Sequence, residues 1–554
     1  MKQLLALALA VALLLSGAAL GEMVSDIQDV TTDGLSATSL LTGMPTPELP
    51  LVDEPMTITV MYPRWSNHGD FSNMWFMNAV EEATGIKLEV QGIESAGWDE
   101  KVSLVFASGD YSDIYLNGIS LNDASVYGAA GMLIPLEDLI AEYAPNAQAI
   151  LDALPESKKS IVASDGHIYL MPAFDTPARD MVQKCGFIND VWLENLGLDR
   201  PTTADELYNC LVAVRDNDAN GNGDAKDEIP LSYVYSSVNY NAGTVILYAF
   251  GFVNMLHDVI DDQYVYVPMQ ENFREYLRFM NKLYEEKLLD PEVFTQTDAQ
   301  YNAKLGEYTV FFTSPEMQNV LADETLQTAY SLIGPLTSDV NDTPMWAAQA
   351  SEKAGSGSMV ITDKCSEEKA IAAIKLLDYF YSEEGSFMIK CGPEKGKWDG
   401  EGGWTRNIAE DGTVSYTIDY LQDQGKYNSF WDFRCANGLM NVPFLYTSEH
   451  AALVLGASVW GKHLSQSVFD SGAYAARRFG YPAGVTFTED EQDTLAMFVL
   501  LDNYVDQMVA KFITGSVDID DDAQWQIYLD TIDSMDVATL IETRQAAYDR
   551  WNNG

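Results

Sequence analysis

Positive charge is what this sequence most lacks: over 554 residues, 32 Lys and Arg stand against 83 Asp and Glu, a formal charge of −51 at pH 7. Binding DNA or RNA needs a basic stripe to neutralise phosphates, and none is present, so nucleic acid is excluded as a main partner. The same deficit opposes docking on anionic lipid. Histidine is scarce too: His68, His167, His257, His450 and His463 are scattered without metal-ligand spacing. There is no G-x-S-x-G elbow, H-E-x-x-H pair or Walker loop, which removes the short signatures of serine hydrolases, zincins and P-loop NTPases. The five cysteines, Cys185, Cys210, Cys365, Cys391 and Cys435, form no CxxC or zinc-type cluster, and their odd number leaves at least one unpaired. No apolar run reaches the ~20 residues that a membrane-spanning helix needs.

What is present points to a folded, exported protein. Hydrophobic residues make up 47% and aromatics 11%, which excludes a disordered polyelectrolyte. The length exceeds one ordinary core, so two or more lobes are expected. Met1–Gly21 reads as a cleaved export signal: Lys2, the apolar run Leu4–Leu15, then small residues through Ala19-Leu20-Gly21. The first cysteine lies at 185, so no lipid-anchor cysteine follows the signal. Residues 22–55 are rich in Thr, Ser, Asp and Pro and read as a flexible linker. Order is expected from Met56, where Met56–Met61 alternates as a strand. A helix over Trp75–Glu82, a strand over Lys87–Gln91, a helix over Asp99–Ala107 and a strand over Asp113–Leu116 follow. Strands alternating with helices predict an α/β lobe with a largely parallel sheet. From Asp190 onward helices dominate. Asn272–Lys287 carries an apolar stripe of Phe273, Tyr276, Leu277, Met280 and Leu283, and Asp493–Phe512 a second.

One loop carries chemistry. In Asp216–Glu228, oxygen-bearing side chains fall at alternate positions, Asp216, Asp218, Asn220, Asn222 and Asp224, followed by Asp227 and Glu228. Gly221 and Gly223 permit the tight winding that aims them inward. The pattern is that of an EF-hand-like loop, in which Ca2+ takes six to eight oxygens. Counting from Asp216 or from Asp218 gives two registers, and Asp218, Asn220, Asp224 and Asp227 serve in both. Five closely spaced carboxylates would also repel one another without a cation, so a structural role in folding the loop is expected.

Several segments together resemble the LplA-like large solute-binding proteins of bacterial ABC oligosaccharide importers, over about Thr57 to Trp551. They are Ser108-Gly-Asp-Tyr-Ser-Asp113, Leu133–Leu139 with Tyr143-Ala-Pro-Asn146, Asp165–Pro172, Trp192–Leu198 with Pro201–Glu206, Asn281–Glu292, and Lys511–Gly515. Two departures from the family pattern stand out: the lipoprotein cysteine is missing, and the acidic loop is one residue longer. The resemblance implies an α/β, two-lobed, periplasmic-binding-protein-like (type II) fold with a hinge and an interlobe cleft. Chain crossings are expected near Phe174, Asn302 and Ala354. Lobe 1 would then be 56–174 with 303–354, and lobe 2 would be 175–302 with 355–554. Function is expected to be capture of an oligosaccharide by a monomer that delivers it to the permease subunits, without catalysis.

Sugar sites offer aromatic platforms ringed by carboxylates, amides and Arg. Tryptophans in irregular segments are Trp65, Trp346, Trp398, Trp404 and Trp431, and from these Trp65, Trp346 and Trp431 with Arg434 are the candidate ligand contacts. Trp65 follows the first strand at its carboxyl end, where open α/β sheets bind ligands. Two alternatives use the same features: a secreted calcium-stabilised glycan-active enzyme, or a glycan-binding surface protein with no transporter. Paired acids for hydrolysis cannot be picked out among 83 carboxylates.

Overall fold

The structure, a computed structural model, describes residues 44–553 except 67, 237–241, 315–316, 318–319, 353–356, 397–402, 411–413, 419–429, 440 and 457–458. The expected export signal and most of the expected linker therefore lie outside the described residues. Residues 44–55 do not behave as a tether. Met44 and Leu51 are buried, the Leu51 and Met56 N–H groups donate to the Thr84 and Gly85 carbonyls, and Asn146 Nδ2 donates to the Pro45 carbonyl. Burying two large apolar side chains offsets the entropy of ordering a proline-rich segment.

The molecule is a two-lobed mixed α/β fold. The first lobe is built on a five-stranded sheet in the order Ile86–Glu94, Met56–Arg64, Ile114–Leu116, Ser358–Ile361, Leu170–Pro172. Met56–Arg64 runs parallel to both neighbours, with Val60 opposite Val90 and Ile114. Helix Trp75–Thr84 connects Met56–Arg64 to Ile86–Glu94, and helix Trp98–Ser108 connects Ile86–Glu94 to Ile114–Leu116, as the alternating pattern predicts. The first helix buries Phe76, Met77 and Val80 and stops at Gly85, whose φ of 75° suits a residue without Cβ.

The second lobe holds a four-stranded sheet in the order Tyr330–Leu332, Phe187–Asn189, Val310–Thr313, Ile229–Leu231. The stripe on helix Glu271–Glu285 is core, with Phe273, Tyr276, Leu277, Met280 and Leu283 all buried. The Asp493–Phe512 stripe divides. Glu489–Ala496 and Val499–Ile513 are separate helices, because the chain turns at Met497–Phe498 to place Phe498 in the core. Val499 is left exposed, whereas Val505, Met508, Val509 and Phe512 pack inward. All five cysteines are buried, and none is in a disulfide.

The lobe assignment expected for two segments is reversed. Val310–Thr313 pairs with Phe187–Asn189 and Ile229–Leu231 in the second sheet, so 303–354 belongs to lobe 2. Ser358–Ile361 pairs in the first sheet, and the helices Glu367–Tyr381 and Glu383–Cys391 extend the first core, so the chain from 358 to about 454 belongs to lobe 1. Asn302 lies in helix Asp298–Gly306, whose Tyr301 and Leu305 are buried in the second lobe, so no crossing occurs there. The third crossing lies between Val454, packed on the first core, and Trp460, in the second. Short apolar strands such as Val310–Thr313 and Ser358–Ile361, which are buried throughout, carry no alternation to say which sheet they join.

Candidate functional sites: the carboxyl edge of the first sheet, the hinge and the acidic loop

Parallel strands Met56–Arg64 and Ile114–Leu116 end on one edge of the first sheet, where antiparallel Ser358–Ile361 begins and Leu170–Pro172 runs out into the hinge. That edge is where ligands bind on open α/β sheets. Asn117 and Gly118 take φ of 75° and 88° there; Asn117 Oδ1 accepts from the Gly357 N–H at 3.0 Å, and Trp98 Nε1 donates to the Gly118 carbonyl at 2.7 Å. This turn delivers the chain to helix Leu121–Ala129, capped by Ser120 on the Asp123 N–H.

Trp65 sits at the same edge and is half-buried. Tyr62 and His68 meet its ring edge-on, at 6.2 Å and 80° and at 5.1 Å and 89°. Among the described residues no ring lies face-on to the indole. His68 is pushed down to about 4 by burial and then by Arg64, so it is neutral at pH 7 and buttresses the indole without charge. The loop continues to Gly69, whose N–H donates to the Cys435 carbonyl and whose bare Cα approaches Ala436 so closely that a Cβ would lie 2.5 Å from its carbonyl oxygen. Trp65 and helix Phe430–Asn437, which carries Trp431, are thus brought together by the backbone. The Trp431 side chain and Trp398 lie outside the described residues.

Two other candidates are placed differently. Trp346 is wholly buried: its Nε1 donates to the Gln183 carbonyl at 2.8 Å and its ring packs edge-on against Tyr248 at 5.6 Å. The two-residue strand Trp346–Ala347, paired with Arg477–Arg478, turns the indole into the second core, so it is not a ligand platform. Arg434 is only 4% exposed, and burial pulls its pKa below the usual guanidinium value. It is an interior charge beside Cys391, Cys435 and Tyr446 and does not present an open guanidinium. Trp404 is likewise buried, bonded to the Gly392 carbonyl at 2.9 Å.

The first crossing carries a buried charged group that sequence reasoning missed. Burial alone would raise the Asp180 carboxyl, but Arg179 and Lys184 overcome this and hold it well below the usual carboxylate range. Lys184 Nζ lies 2.6 Å from Asp180 Oδ1 and Arg179 Nε 3.4 Å from Oδ2. Just before them, Thr176 donates through both N and Oγ1 to the Tyr446 carbonyl at 2.9 Å, and the Asp175 N–H donates to the Ser351 carbonyl at 2.8 Å. The first crossing is therefore tied by polar contacts to the approach of the second and to the first lobe at Tyr446. The run of charges at Arg179, Asp180 and Lys184 beside the expected crossing was the only signal for it.

The acidic loop joins helix Ala204–Asp216 to strand Ile229–Leu231. Asp216 is turned away, bonded to Arg215 at 2.8 and 3.0 Å, and Asp224 is exposed and contributes only its N–H. Within the loop, Gly223 N donates to Asp218 Oδ2 at 2.9 Å, Asn222 Nδ2 to Asp227 Oδ2 at 2.6 Å, and Ala219 N to Glu228 Oε1 at 2.9 Å. The other oxygens of these acids, Asp218 Oδ1, Asp227 Oδ1 and Glu228 Oε2, are buried with no hydrogen-bond partner. Burial, and to a smaller extent Asp227, raises the Glu228 pKa. Among the described residues no three His, Cys, Asp or Glu side chains are gathered closely enough to hold a metal by themselves. The amides of Asn220 and Asn222 stand between the carboxylates, both donating to Asp227 Oδ2. Orphaned oxygens on a donor set of carboxylates and amides are the chemistry a hard cation fits.

Comparison with known proteins places the chain. The model of the bacterial extracellular solute-binding protein family matches residues 69–386. The fructooligosaccharide ABC transporter substrate-binding protein FusA of Streptococcus pneumoniae is 34% identical over 271 residues, which is 47% of this chain and 50% of FusA. The chain thus spans about half the length of that relative. Among solved structures, a solute-binding protein of Bifidobacterium longum infantis, associated with an ABC transporter and binding human milk oligosaccharides (HMO), superimposes with a TM-score of 0.74 at 20% identity, over 90% of this chain and 99% of that one. A FusA EF-hand mutant in complex with fructo-nystose gives 0.67 at 23% identity, over 90% and 99%. With a family model covering more than half of its length, and the two-lobed fold shared over 90% of the chain, this chain belongs to the bacterial extracellular solute-binding protein family.

Proposed function

We propose that this protein is the capture subunit of an ABC importer for oligosaccharides: it is exported by the Met1–Gly21 signal, binds its cargo between the lobes as a monomer, and hands it to the permease intact. The observation that carries this reading is Trp65, held at the carboxyl edge of the first sheet by edge-on contacts that leave its face unstacked among the described residues. An indole face of that kind is what the C–H face of a sugar ring packs against. The nature of the FusA relative, a fructooligosaccharide binder, supports fructooligosaccharides as the first substrate class to test. Trp431 belongs to the same proposal, because its helix abuts the Trp65 loop. Arg434, on the same helix and buried, acts as a support and not as a sugar contact.

The acidic loop is proposed as a Ca2+ site. Asp218, Asn220, Asn222, Asp227 and Glu228 would hold the ion, displacing the amide contacts on Asp227, and the ion's role is structural. The unpartnered buried oxygens favour the register that starts at Asp218.

The test is calorimetric titration of the calcium-replete protein with kestose, nystose and a panel of milk oligosaccharides, with the sugar recovered and sized afterwards. Saturable binding of a glycan that is recovered intact is the expected result. Recovery of shortened glycan would replace this reading by the glycan-active enzyme, and absence of binding to every sugar would reject an oligosaccharide cargo.

A further inference from the structure

A cavity of about 510 Å³ opens on the seam between the lobes, walled by Lys158, Lys159 and Ser164 of the first lobe and by Arg550, Trp551 and Asn552 at the end of the chain. In a protein with 83 acidic residues in 554, no Asp or Glu lines it. Arg550 is already neutralised, pairing with Glu491 at 2.9 and 2.7 Å and donating to the Thr486 carbonyl. The two lysines have no acidic partner among the described residues. Lys159 Nζ reaches only the neutral Asn552 carbonyl and Oδ1, each at 3.2 Å, and lies 4.2 Å from the centre of the Trp551 ring. Lys158 is exposed and has no hydrogen-bond or ion-pair partner among the described residues. Two ammonium groups with no acidic partner among the described residues thus stand around one cavity.

We propose that this seam cavity binds a small, doubly charged oxyanion of the sulfate, phosphate or dicarboxylate class. The anion neutralises Lys158 and Lys159. The overall negative charge of the molecule opposes its approach only weakly at physiological salt, where fields decay over about 8 Å. Because its walls come from both lobes, occupancy favours the lobe arrangement in which the seam is closed.

Sulfate and malonate are the probes, titrated into the whole protein at constant ionic strength with chloride as the balancing anion, and followed by calorimetry and by melting temperature. At least one of the two is expected to give a saturable response. Lys158→Glu, which has no contact to lose, should melt normally in chloride and bind that anion on the order of tenfold more weakly. Lys159→Gln, which still reaches Asn552, should weaken binding similarly. No saturable response to either anion would overturn the proposal. So would a response that Lys158→Glu retains in full, because the general salting effect of sulfate acts on any protein and needs no lysine.

Discussion

At the scale of single residues, function and stability rest on groups whose environment overrides their type. Trp65 and Trp346 are the same residue in similar irregular stretches, yet one is half-buried with no ring stacked on its face among the described residues and the other is sealed in the second core with its N–H satisfied. Trp65→Ala is expected to weaken glycan binding about tenfold, the worth of one aromatic–sugar stack, with little change in melting temperature. Trp346→Ala should do the opposite, costing about 3–5 kcal/mol of stability. Calorimetry and denaturant unfolding of the two variants separate the roles. Asp378 makes a second residue-scale case. It is 2% exposed and receives the N–H groups of Asn146 and Ala147 at 2.7 and 3.0 Å at the start of helix Pro145–Ala153. Burial nevertheless raises its pKa to about 6. An unfolded aspartate releases its proton near ~3.9, so between that pH and about 6 the folded state binds more protons. Stability from this group is therefore greatest at low pH and is lost as pH rises from ~4 to ~6, by about 3 kcal/mol at most. Asp378→Asn should flatten that part of the urea-stability profile; an unchanged slope would place its origin elsewhere.

At the scale of elements, the local pattern was legible wherever a segment had a strong period. Strand Met56–Arg64, helices Trp75–Thr84 and Trp98–Ser108, and the stripe of Glu271–Glu285 all follow from alternation or three-and-four spacing. Sheet membership was not legible for Val310–Thr313 and Ser358–Ile361, whose four residues are all buried and would suit either lobe. The same holds for residues 44–55, where composition suggested a tether and two buried side chains, Met44 and Leu51, dock it instead. The acidic loop was legible as a donor pattern but not in register. The proposed register rests on Arg215, which draws Asp216 off at 2.8 Å. Removing divalent ions with EDTA is expected to lower the melting temperature and expose the 216–228 segment to protease, and added Ca2+ should reverse both. At a thousand times its dissociation constant, the ion would contribute about 4 kcal/mol. Glu228→Gln should abolish the EDTA effect, whereas Asp216→Asn should leave it intact. Equal loss in both variants would favour the register beginning at Asp216.

At the scale of the whole molecule, the lobes are joined by three crossings, the first two of which meet at one place, and closure around a ligand would be a rotation about an axis near it. Gly357 stands at that place. Its φ is 91°, its N–H donates to Asn117 and its carbonyl accepts from Ala173, and a Cβ there would lie 2.9 Å from Ala173 Cβ and 3.3 Å from the Val442 carbonyl oxygen. One position therefore ties the turn after the central strand, the first crossing and the second crossing together. On the far side of the seam, Asn122 of the first lobe accepts from the Phe487 N–H at 3.1 Å, and Gln492 donates to the Asn122 carbonyl at 3.4 Å. A bound glycan should shift the population toward the closed arrangement, seen as a fall in radius of gyration by small-angle scattering that saturates with the calorimetric isotherm. Gly357→Ala combines positive-φ strain of about 1–3 kcal/mol with a clash between two crossings. Its melting temperature should drop, and its scattering curve with saturating sugar should stay nearer that of the free protein. If the variant closes as fully as the parent while melting lower, Gly357 shapes only the fold of the first lobe and the axis of rotation lies at the other crossings. If the parent itself binds sugar without any change in scattering, capture proceeds in a preformed cleft and the hinge is not part of the mechanism.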